Sequence, residues 1–198
     1  MLKSLTVADI WRPCEKTQAL LYDILLIFGG SLFIALFAHM KFLLPFSRVP
    51  VTGQTFAVLI IGALLGAKRG SLTVLTYITE GLVGLPVFAM GSGLVVLRGF
   101  TGGYIIGFIF AAYIVGSLAE RGWDRRVWTT ILAMVIGNVI IYAFGLVWLT
   151  QVPTVKSVFF EGLYPFIAGD LIKIALAAVL LPSGWKLLGH YRNSDRTG

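Results

Sequence analysis

The sequence predicts an all-α integral membrane protein, a compact bundle of six transmembrane helices that forms a single domain over residues 1–198. Of its 198 residues, 58% are hydrophobic and only 13% are charged, whereas an average soluble domain has about 25% charged residues. The apolar residues also occur in long runs, and about 20 consecutive apolar residues cross a bilayer. The composition therefore excludes a soluble enzyme, a nucleic-acid-binding domain and a disordered chain.

The first three predicted spans differ in length. The first, residues 19–40, follows a polar N-terminal segment that lacks the apolar core of a signal peptide, and Asp23 is its only acidic or basic residue apart from His39. The second, residues 52–67, ends at a lysine–arginine–glycine turn. The third, residues 70–86, carries Glu80 and ends at a proline. The second and third spans are short, so we expect flanking loop residues to complete them or the bundle to enclose them.

The last three predicted spans follow a glycine-rich apolar loop at residues 87–99. The fourth span covers residues 102–120 and the fifth covers residues 127–149. The sixth, residues 164–188, contains Asp170, Lys173 and Pro182. The chain length is filled by these spans and short loops, which leaves no room for a soluble ATP-binding domain.

The basic residues predict the orientation of the bundle, because cytoplasmic loops of membrane proteins are enriched in lysine and arginine. Six spans place both termini on one side. With that side in the cytoplasm, the cytoplasmic segments contain Lys3, Arg12, Lys16, Lys68, Arg69, Arg121, Arg125, Arg126, Lys186, Arg192 and Arg196. The outer segments then contain Lys41, Arg48, Arg98 and Lys156. This asymmetry predicts that both termini are cytoplasmic.

Three ionisable residues within predicted spans stand out as candidates for a site, because such a residue costs about 2.5–3.5 kcal/mol at the helix centre. Asp170 and Lys173 are three residues apart on the sixth helix and share a face. They either neutralise each other as a structural pair or face a polar pocket and bind a ligand. Glu80 lies close to two glycines and a proline, so it has either a structural role or a binding role at an aqueous rim.

Other polar residues are also candidates for a site. Arg98 is the one charged residue of its loop and either reaches the interface or closes over an anionic ligand. Asn138 in the fifth span either bonds to a neighbouring helix or contacts a ligand. Gln54, with Thr52 and Thr55 beside it, lies where the first outer loop enters the second span, a plausible rim of a pocket.

Small residues on the first helix suggest close packing. Ser31 and Ala35 form a small-xxx-small pair, which lets helix backbones approach each other. The pair either packs within this bundle or docks another membrane protein.

Catalytic patterns are missing from the sequence. His39 and His190 do not form a His-Glu-x-x-His zinc pattern, and there is no phosphate-binding loop. We therefore predict no enzymatic activity, no catalytic residue, no metal and no cofactor. ATP-driven transport would require another subunit to hydrolyse the ATP.

Four segments together resemble the BioY family, the biotin-binding substrate-capture (S) components of energy-coupling factor (ECF) transporters. They are residues 48–59 (RVPVTGQTFAVL), 80–88 (EGLVGLPVF), 98–104 (RGFTGGY) and 169–173 (GDLIK). Their order and spacing fit over residues 19–188. Any one of these motifs alone would be a weak signal, but together they are specific.

The resemblance implies a six-helix S-component fold in the bacterial cytoplasmic membrane, with biotin bound near the outer face. It also implies partners, namely one transmembrane coupling protein and two ABC-type ATPases. In that family the small-residue face of the first helix docks on the coupling protein, which gives Ser31 and Ala35 a docking role. S components for other vitamins, an intramembrane enzyme and an accessory membrane protein are the alternatives.

The chemistry of biotin assigns roles to the candidate residues. Its ureido ring needs acceptors and donors, its thioether ring needs an apolar wall, and its carboxylate needs a cation. The ureido candidates are Asp170, Asn138 and Gln54. The wall candidates are Phe56, Tyr104 and Phe88. The cation is either Arg98 or Lys173, and Glu80 completes the predicted site.

Overall fold

A computed structural model describes residues 5–42, 47–153, 155 and 157–194, with side chains described up to residue 188. The helices are α1 (Val7–Ile10), α2 (Lys16–His39), α3 (Gln54–Leu82), α4 (Leu94–Arg98), α5 (Gly102–Ala119), α6 (Val127–Leu149), α7 (Val158–Gly162) and α8 (Tyr164–Ser194). Two short strands, β1 (Lys41–Phe42) and β2 (Val51–Thr52), pair antiparallel beside the start of α3. Lys3, Lys156 and Arg196, which entered the orientation argument, lie outside the described residues.

Five stretches of helix in the described part of the chain are long and apolar enough to cross a membrane. They are Lys16–His39, Gln54–Leu82, Gly102–Ala119, Val127–Leu149 and Val158–Leu188. The first, fourth, fifth and sixth predicted spans each correspond to one of them. The second and third predicted spans fall together in α3.

Helix α3 bends back on itself at Gly66, which has a φ of 83° and a ψ of 177°. The Gln54 side-chain amide lies 2.6 Å from the Tyr77 hydroxyl, although 23 residues of straight helix would separate them by about 35 Å. A Cβ on Gly70 would lie 2.9 Å from the Cα of Gly62, which places the two halves in backbone contact. The two halves are therefore antiparallel, and the bundle has six crossing segments.

The hairpin corrects the predicted boundary between the second and third spans. The chain turns at one residue, Gly66, rather than in a loop around residues 68–70, which are helical. Glycine makes this turn possible because its φ and ψ lie in a region essentially closed to other residues. A carboxylate oxygen of Glu120 accepts a hydrogen bond from the Ala67 amide, 3.1 Å away, and so satisfies a donor that the turn leaves free.

The centre of the bundle is the contact between α3 and α5. A Cβ on Gly62 would lie 2.7 Å from the Ala112 carbonyl oxygen, and a Cβ on Gly116 would lie 2.5 Å from the Ala67 nitrogen. Glycine at these two positions lets the helix backbones touch. In contrast, α2 lies at the edge and exposes large apolar side chains, such as Leu32 at 63%, to the lipid.

An ionic network closes the end of the bundle where the α3 hairpin turns. Arg69 pairs with Asp9 of α1 and, at 3.2 Å, with Asp23 of α2; Arg12 pairs with Asp23 at 2.7 Å. Burial raises the pKa of Asp9, but hydrogen bonds from Thr6 and the Arg69 guanidinium outweigh that effect and lower it below its usual range. These ion pairs connect the N-terminal segment to the α3 hairpin. The sequence had predicted only that this segment is polar.

Candidate ligand-binding site

A small, partly open cavity lies at the opposite end of the bundle, where α3, α5 and α8 begin and α6 ends. The polar side chains that line it are Thr52, Gln54, Thr55, Thr101, Tyr104, Tyr142 and Lys173. Val49, Pro50, Ile105, Phe108 and Phe166 supply the apolar part of the lining. Four long helices therefore converge on one mostly apolar cavity with a few polar groups.

A buried ion pair forms one wall of the cavity. The Lys173 ammonium lies 3.0 Å from Asp170 Oδ1 and donates a hydrogen bond to Thr55 Oγ1 at 2.9 Å. The Tyr142 hydroxyl donates a hydrogen bond to Asp170 Oδ2. The Asp170 side chain is 7% exposed and the Lys173 side chain 17%. Buried charges are stable only when they are paired and hydrogen-bonded. In this cluster the Lys173 ammonium at the cavity is paired with Asp170, so no charge is left unpaired.

The cluster is assembled by helix spacing and by the α3 hairpin. Asp170 and Lys173 share one face of α8 because they are three residues apart. Tyr142 reaches them from α6. The bend in α3 brings Thr55, the second residue of that helix, to the same end of the bundle.

A second, smaller cavity, too narrow for a water molecule, adjoins the first, because Thr55 and Lys173 line both. Its other lining residues are Phe56, Leu59, Met134, Asn138 and Ile174. The predicted residues Phe56 and Asn138 thus lie in the smaller cavity, while Gln54 and Tyr104 lie in the larger one. The structure brings these four together with Asp170 and Lys173.

Hydrogen bonds to other parts of the chain fix Gln54 and Tyr104. The Gln54 amide donates to the Tyr77 hydroxyl, which in turn donates to the Val87 carbonyl at 3.1 Å. The Tyr104 hydroxyl donates to the Gly162 carbonyl at 2.7 Å. Their positions in the cavity wall are therefore set before any ligand enters.

Besides Asp170, which contacts the lining residue Lys173 but is not itself part of either lining, three predicted site residues line neither cavity. Phe88 is 1% exposed and packs edge-on against Tyr77, behind the cavity wall. Arg98 is exposed at the last position of α4. Glu80 lies on α3 and faces α2, where its Oε1 accepts a hydrogen bond from Ser31 at 2.8 Å. Its Oε2 is buried and has no hydrogen-bond partner among the described residues.

The structure places the predicted docking residues of α2 inside the bundle. Ser31 is 0% exposed and Ala35 is 8% exposed, so both side chains face the bundle interior. This arrangement corresponds to the packing alternative for the small-xxx-small pair. The exposed face of α2 carries Leu25, Leu32 and Leu36 instead. A membrane partner that approaches α2 would therefore contact this leucine face.

Sequence reasoning missed Tyr142 and Phe166. Tyr142 follows Asn138 by four residues, so a candidate at Asn138 should have drawn attention to its neighbour on the same helix face. Phe166 lies four residues before Asp170 and therefore shares a helix face with it. The rings of Tyr104, Tyr142 and Phe166 contact one another, with centroids 6.3–6.4 Å apart.

The long apolar helices, with a cavity between them at one end of the bundle, define a multi-pass membrane protein. Comparison with known proteins gives the family. A model of the BioY family matches residues 12–190. The biotin transporter BioY of Rhizobium etli is 36% identical over 163 residues, which cover 76% of this chain and 87% of that protein. The biotin transporter BioY of Thermotoga maritima is 41% identical over 139 residues, which cover 69% and 81%.

The chain belongs to the BioY family. Its fold is that of a crystal structure, at 2.1 Å, of the S-component for biotin from an ECF-type ABC transporter, with a TM-score of 0.74 at 24% identity. The match covers 88% of this chain and 95% of that one. The predicted family and membrane fold are therefore confirmed. The relatives are named transporters, which confirms the prediction that the chain is not an enzyme.

Proposed function

We propose that this chain binds biotin and takes it up across the bacterial cytoplasmic membrane as the S component of an ECF-type transporter. The observation that carries the proposal is the buried Asp170–Lys173 pair at the wall of a cavity between the helices, in a chain whose relatives are named biotin transporters. A concave, mostly apolar cavity with a few polar groups is the usual form of a small-molecule site.

The lining matches the chemical parts of biotin. The contacting rings of Tyr104, Tyr142 and Phe166 supply an apolar wall for the fused rings of the vitamin. The Lys173 ammonium lines both cavities and offers a hydrogen-bond donor. Asp170 supports the ligand indirectly, since its two oxygens hold Lys173 and Tyr142 in place.

Arg98 is our choice of cation for the biotin carboxylate. Lys173 already has Asp170 as its counterion, so a carboxylate beside it would meet a neutral pair. Arg98 is exposed, lies three residues before the cavity residue Thr101, and has no ion pair among the described residues. Arg98→Ala should therefore weaken biotin binding but leave the weaker binding of biotinamide unchanged. Equal losses for both ligands would contradict this assignment.

The first test of the proposal is direct identification of the ligand. The protein is purified in detergent, and mass spectrometry identifies any small molecule that accompanies it. Thermal-shift measurements with biotin, thiamine and riboflavin then compare vitamins; stabilisation by biotin alone supports the proposal, and stabilisation by another vitamin alone refutes it.

Variants test the site itself. Asp170→Asn and Lys173→Ala should each abolish high-affinity biotin binding while the circular dichroism and gel-filtration profile of the folded protein persist. Lys186→Ala is the matched control, because Lys186 is exposed on the same helix and lies far from both cavities. Wild-type affinity in both site variants would contradict the assignment.

We also propose that the chain works with a transmembrane coupling protein and two ABC-type ATPases, with both termini in the cytoplasm. The charge asymmetry supports the orientation. The exposed leucines of α2 supply an apolar surface for the coupling protein. Co-purification with a tagged coupling protein tests the assembly, and reporter fusions at each terminus test the orientation.

A further inference from the structure

Three arginines lie in the turn that joins α5 to α6, at the end of the bundle away from the cavities. Arg121, Arg125 and Arg126 are all exposed, and none of them forms an ion pair among the residues that the structure describes. Gly122, with a φ of 83°, reverses the chain, and its carbonyl accepts a hydrogen bond from the Arg125 amide at 3.3 Å. Three positive charges therefore lie within six residues of one tight turn.

The two acidic residues that neighbour these arginines in the chain have other partners. Asp124 is only 2% exposed, and its carboxylate accepts a hydrogen bond from the indole of Trp185 on α8. The carboxylate of Glu120 accepts a hydrogen bond from a backbone amide at the turn of the α3 hairpin. The exposed surface of the α5–α6 turn is therefore positively charged.

Contacts with two other segments hold Arg125 in place. Its guanidinium lies 4.4 Å from the centroid of the Trp185 ring and donates a hydrogen bond to the Leu5 carbonyl at 3.2 Å. A cation–π contact and a bond to a neutral carbonyl both orient the guanidinium without cancelling its charge. The turn is thus fixed against α8, and its charge is available to an anion outside the bundle.

The surface of α6 next to the arginines is apolar and exposed. Trp128, two residues after Arg126, is 78% exposed. Leu132, Val135 and Val139 continue this exposed stripe at helical spacing. Exposed tryptophans are typical of the level at which a membrane helix meets the lipid headgroups. The arginines therefore lie at headgroup level, with an apolar helix face for acyl chains directly beside them.

We propose that the α5–α6 turn binds the phosphodiester headgroup of an anionic membrane phospholipid, whose acyl chains lie along the exposed stripe of α6. The planar guanidinium donates two parallel hydrogen bonds to phosphate oxygens, and basic clusters at the ends of membrane helices attract anionic lipids. A free phosphate would gain nothing from the apolar stripe, so the combination favours a lipid.

This surface is separate from the candidate ligand-binding site. Arg126 precedes the cavity residue Tyr142 by 16 residues, which corresponds to about 24 Å along α6. The inference therefore goes beyond the proposed function, and either can fail without the other.

The test compares two phospholipids with identical acyl chains, phosphatidylglycerol and phosphatidylcholine. Native mass spectrometry of the full chain in a neutral detergent measures the Kd for each. We expect phosphatidylglycerol to bind more tightly, because only its headgroup carries a net negative charge. Arg121→Gln and Arg126→Gln should each raise its Kd about fivefold, and the two together about 20-fold. The Kd for phosphatidylcholine should stay unchanged, which also shows that the variants are folded.

Fluorescence locates the bound lipid. Phosphatidylglycerol brominated in its acyl chains should quench tryptophan fluorescence more than brominated phosphatidylcholine does, and Trp128→Phe should remove that difference. Lys16→Gln is the matched control for charge, because it removes one positive charge from the exposed first residue of α2, a helix that packs against α3. It should leave the Kd for both lipids unchanged.

Equal Kd values for the two lipids in the wild-type protein would overturn the inference. An increase of the phosphatidylglycerol Kd in Lys16→Gln as large as that in Arg126→Gln would also overturn it, because net charge alone would then explain the binding. Displacement of phosphatidylglycerol by inorganic phosphate would replace the lipid site with a site for a free anion. Wild-type lipid binding in the double arginine variant, with loss of the co-purified coupling protein, would assign the turn to a protein interface instead.

Discussion

Replacement of Lys173 by methionine, which is apolar and similar in length, tests the buried ion pair as a source of both stability and binding. The Lys173 ammonium lies 3.0 Å from Asp170 Oδ1. At an effective dielectric constant of 20, that separation corresponds to about 5 kcal/mol of attraction. Thr55 and Tyr142 continue to hydrogen-bond the aspartate and offset part of the loss. We therefore expect Lys173→Met to lower the free energy of unfolding by about 3 kcal/mol.

A double variant that replaces both members of the ion pair tests this prediction more directly. In Lys173→Met combined with Asp170→Asn no charge is left unpaired, so most of the lost stability should return, to within about 1 kcal/mol of wild type. Biotin binding should remain lost in both proteins. Denaturation of the ligand-free protein in detergent measures the stability, with Lys186→Met as the exposed control on the same helix. A double variant as unstable as Lys173→Met would refute the reasoning.

Three further predictions concern other parts of the fold. Gly66→Ala places a Cβ 2.7 Å from a glutamate oxygen at a φ of 83°, so it should lower the free energy of unfolding by about 1–3 kcal/mol and lower the thermal midpoint accordingly. Gly29→Ala is the control, because its Cβ meets no atom within 4 Å, and it should not lower the thermal midpoint by a comparable amount. Gly145→Ala places a Cβ 2.3 Å from the Tyr104 ring and should raise the biotin Kd about tenfold by displacing that wall; an unchanged Kd would count against the role of the ring. Burial raises the pKa of Asp124 above its ordinary value of 3.8, so above that pH its ionisation disfavours the folded state. Asp124→Asn should therefore raise the thermal midpoint at pH 7, with a gain that disappears below pH 3.8, as thermal scans across pH would measure.

The buried ion pair forms a fixed part of the cavity wall. Asp170, Lys173 and Tyr142 form a network that is satisfied within the protein. A satisfied network gives a fixed wall, because none of its members gains by moving. By contrast, the Oδ1 of Asn138 is buried without a hydrogen-bond partner among the described residues.

The sequence predicted part of the candidate site and missed the rest for identifiable reasons. Asp170 and Lys173 were found because charged residues are rare in apolar spans and their spacing fixes a common helix face. Arg98 and Glu80 were also predicted as site residues because charged residues are rare in apolar segments. That rarity alone does not show which other residues a side chain contacts. Glu80 turned out to satisfy Ser31, 49 residues away in the chain.

The sequence by itself determined that the chain lies in a membrane, where its helices run and to which family it belongs. Hydropathy and motif order are properties of neighbouring residues, so they can be read without a fold. Only the tertiary structure decided that α3 is a hairpin at Gly66, that Ser31 faces inward, and that Thr55 meets Asp170 across 115 residues. The physical reason is that these helices are apolar on nearly every side. Such a helix carries no periodic signal for its inward face, so the packing of helices distant in sequence decides which side chains meet.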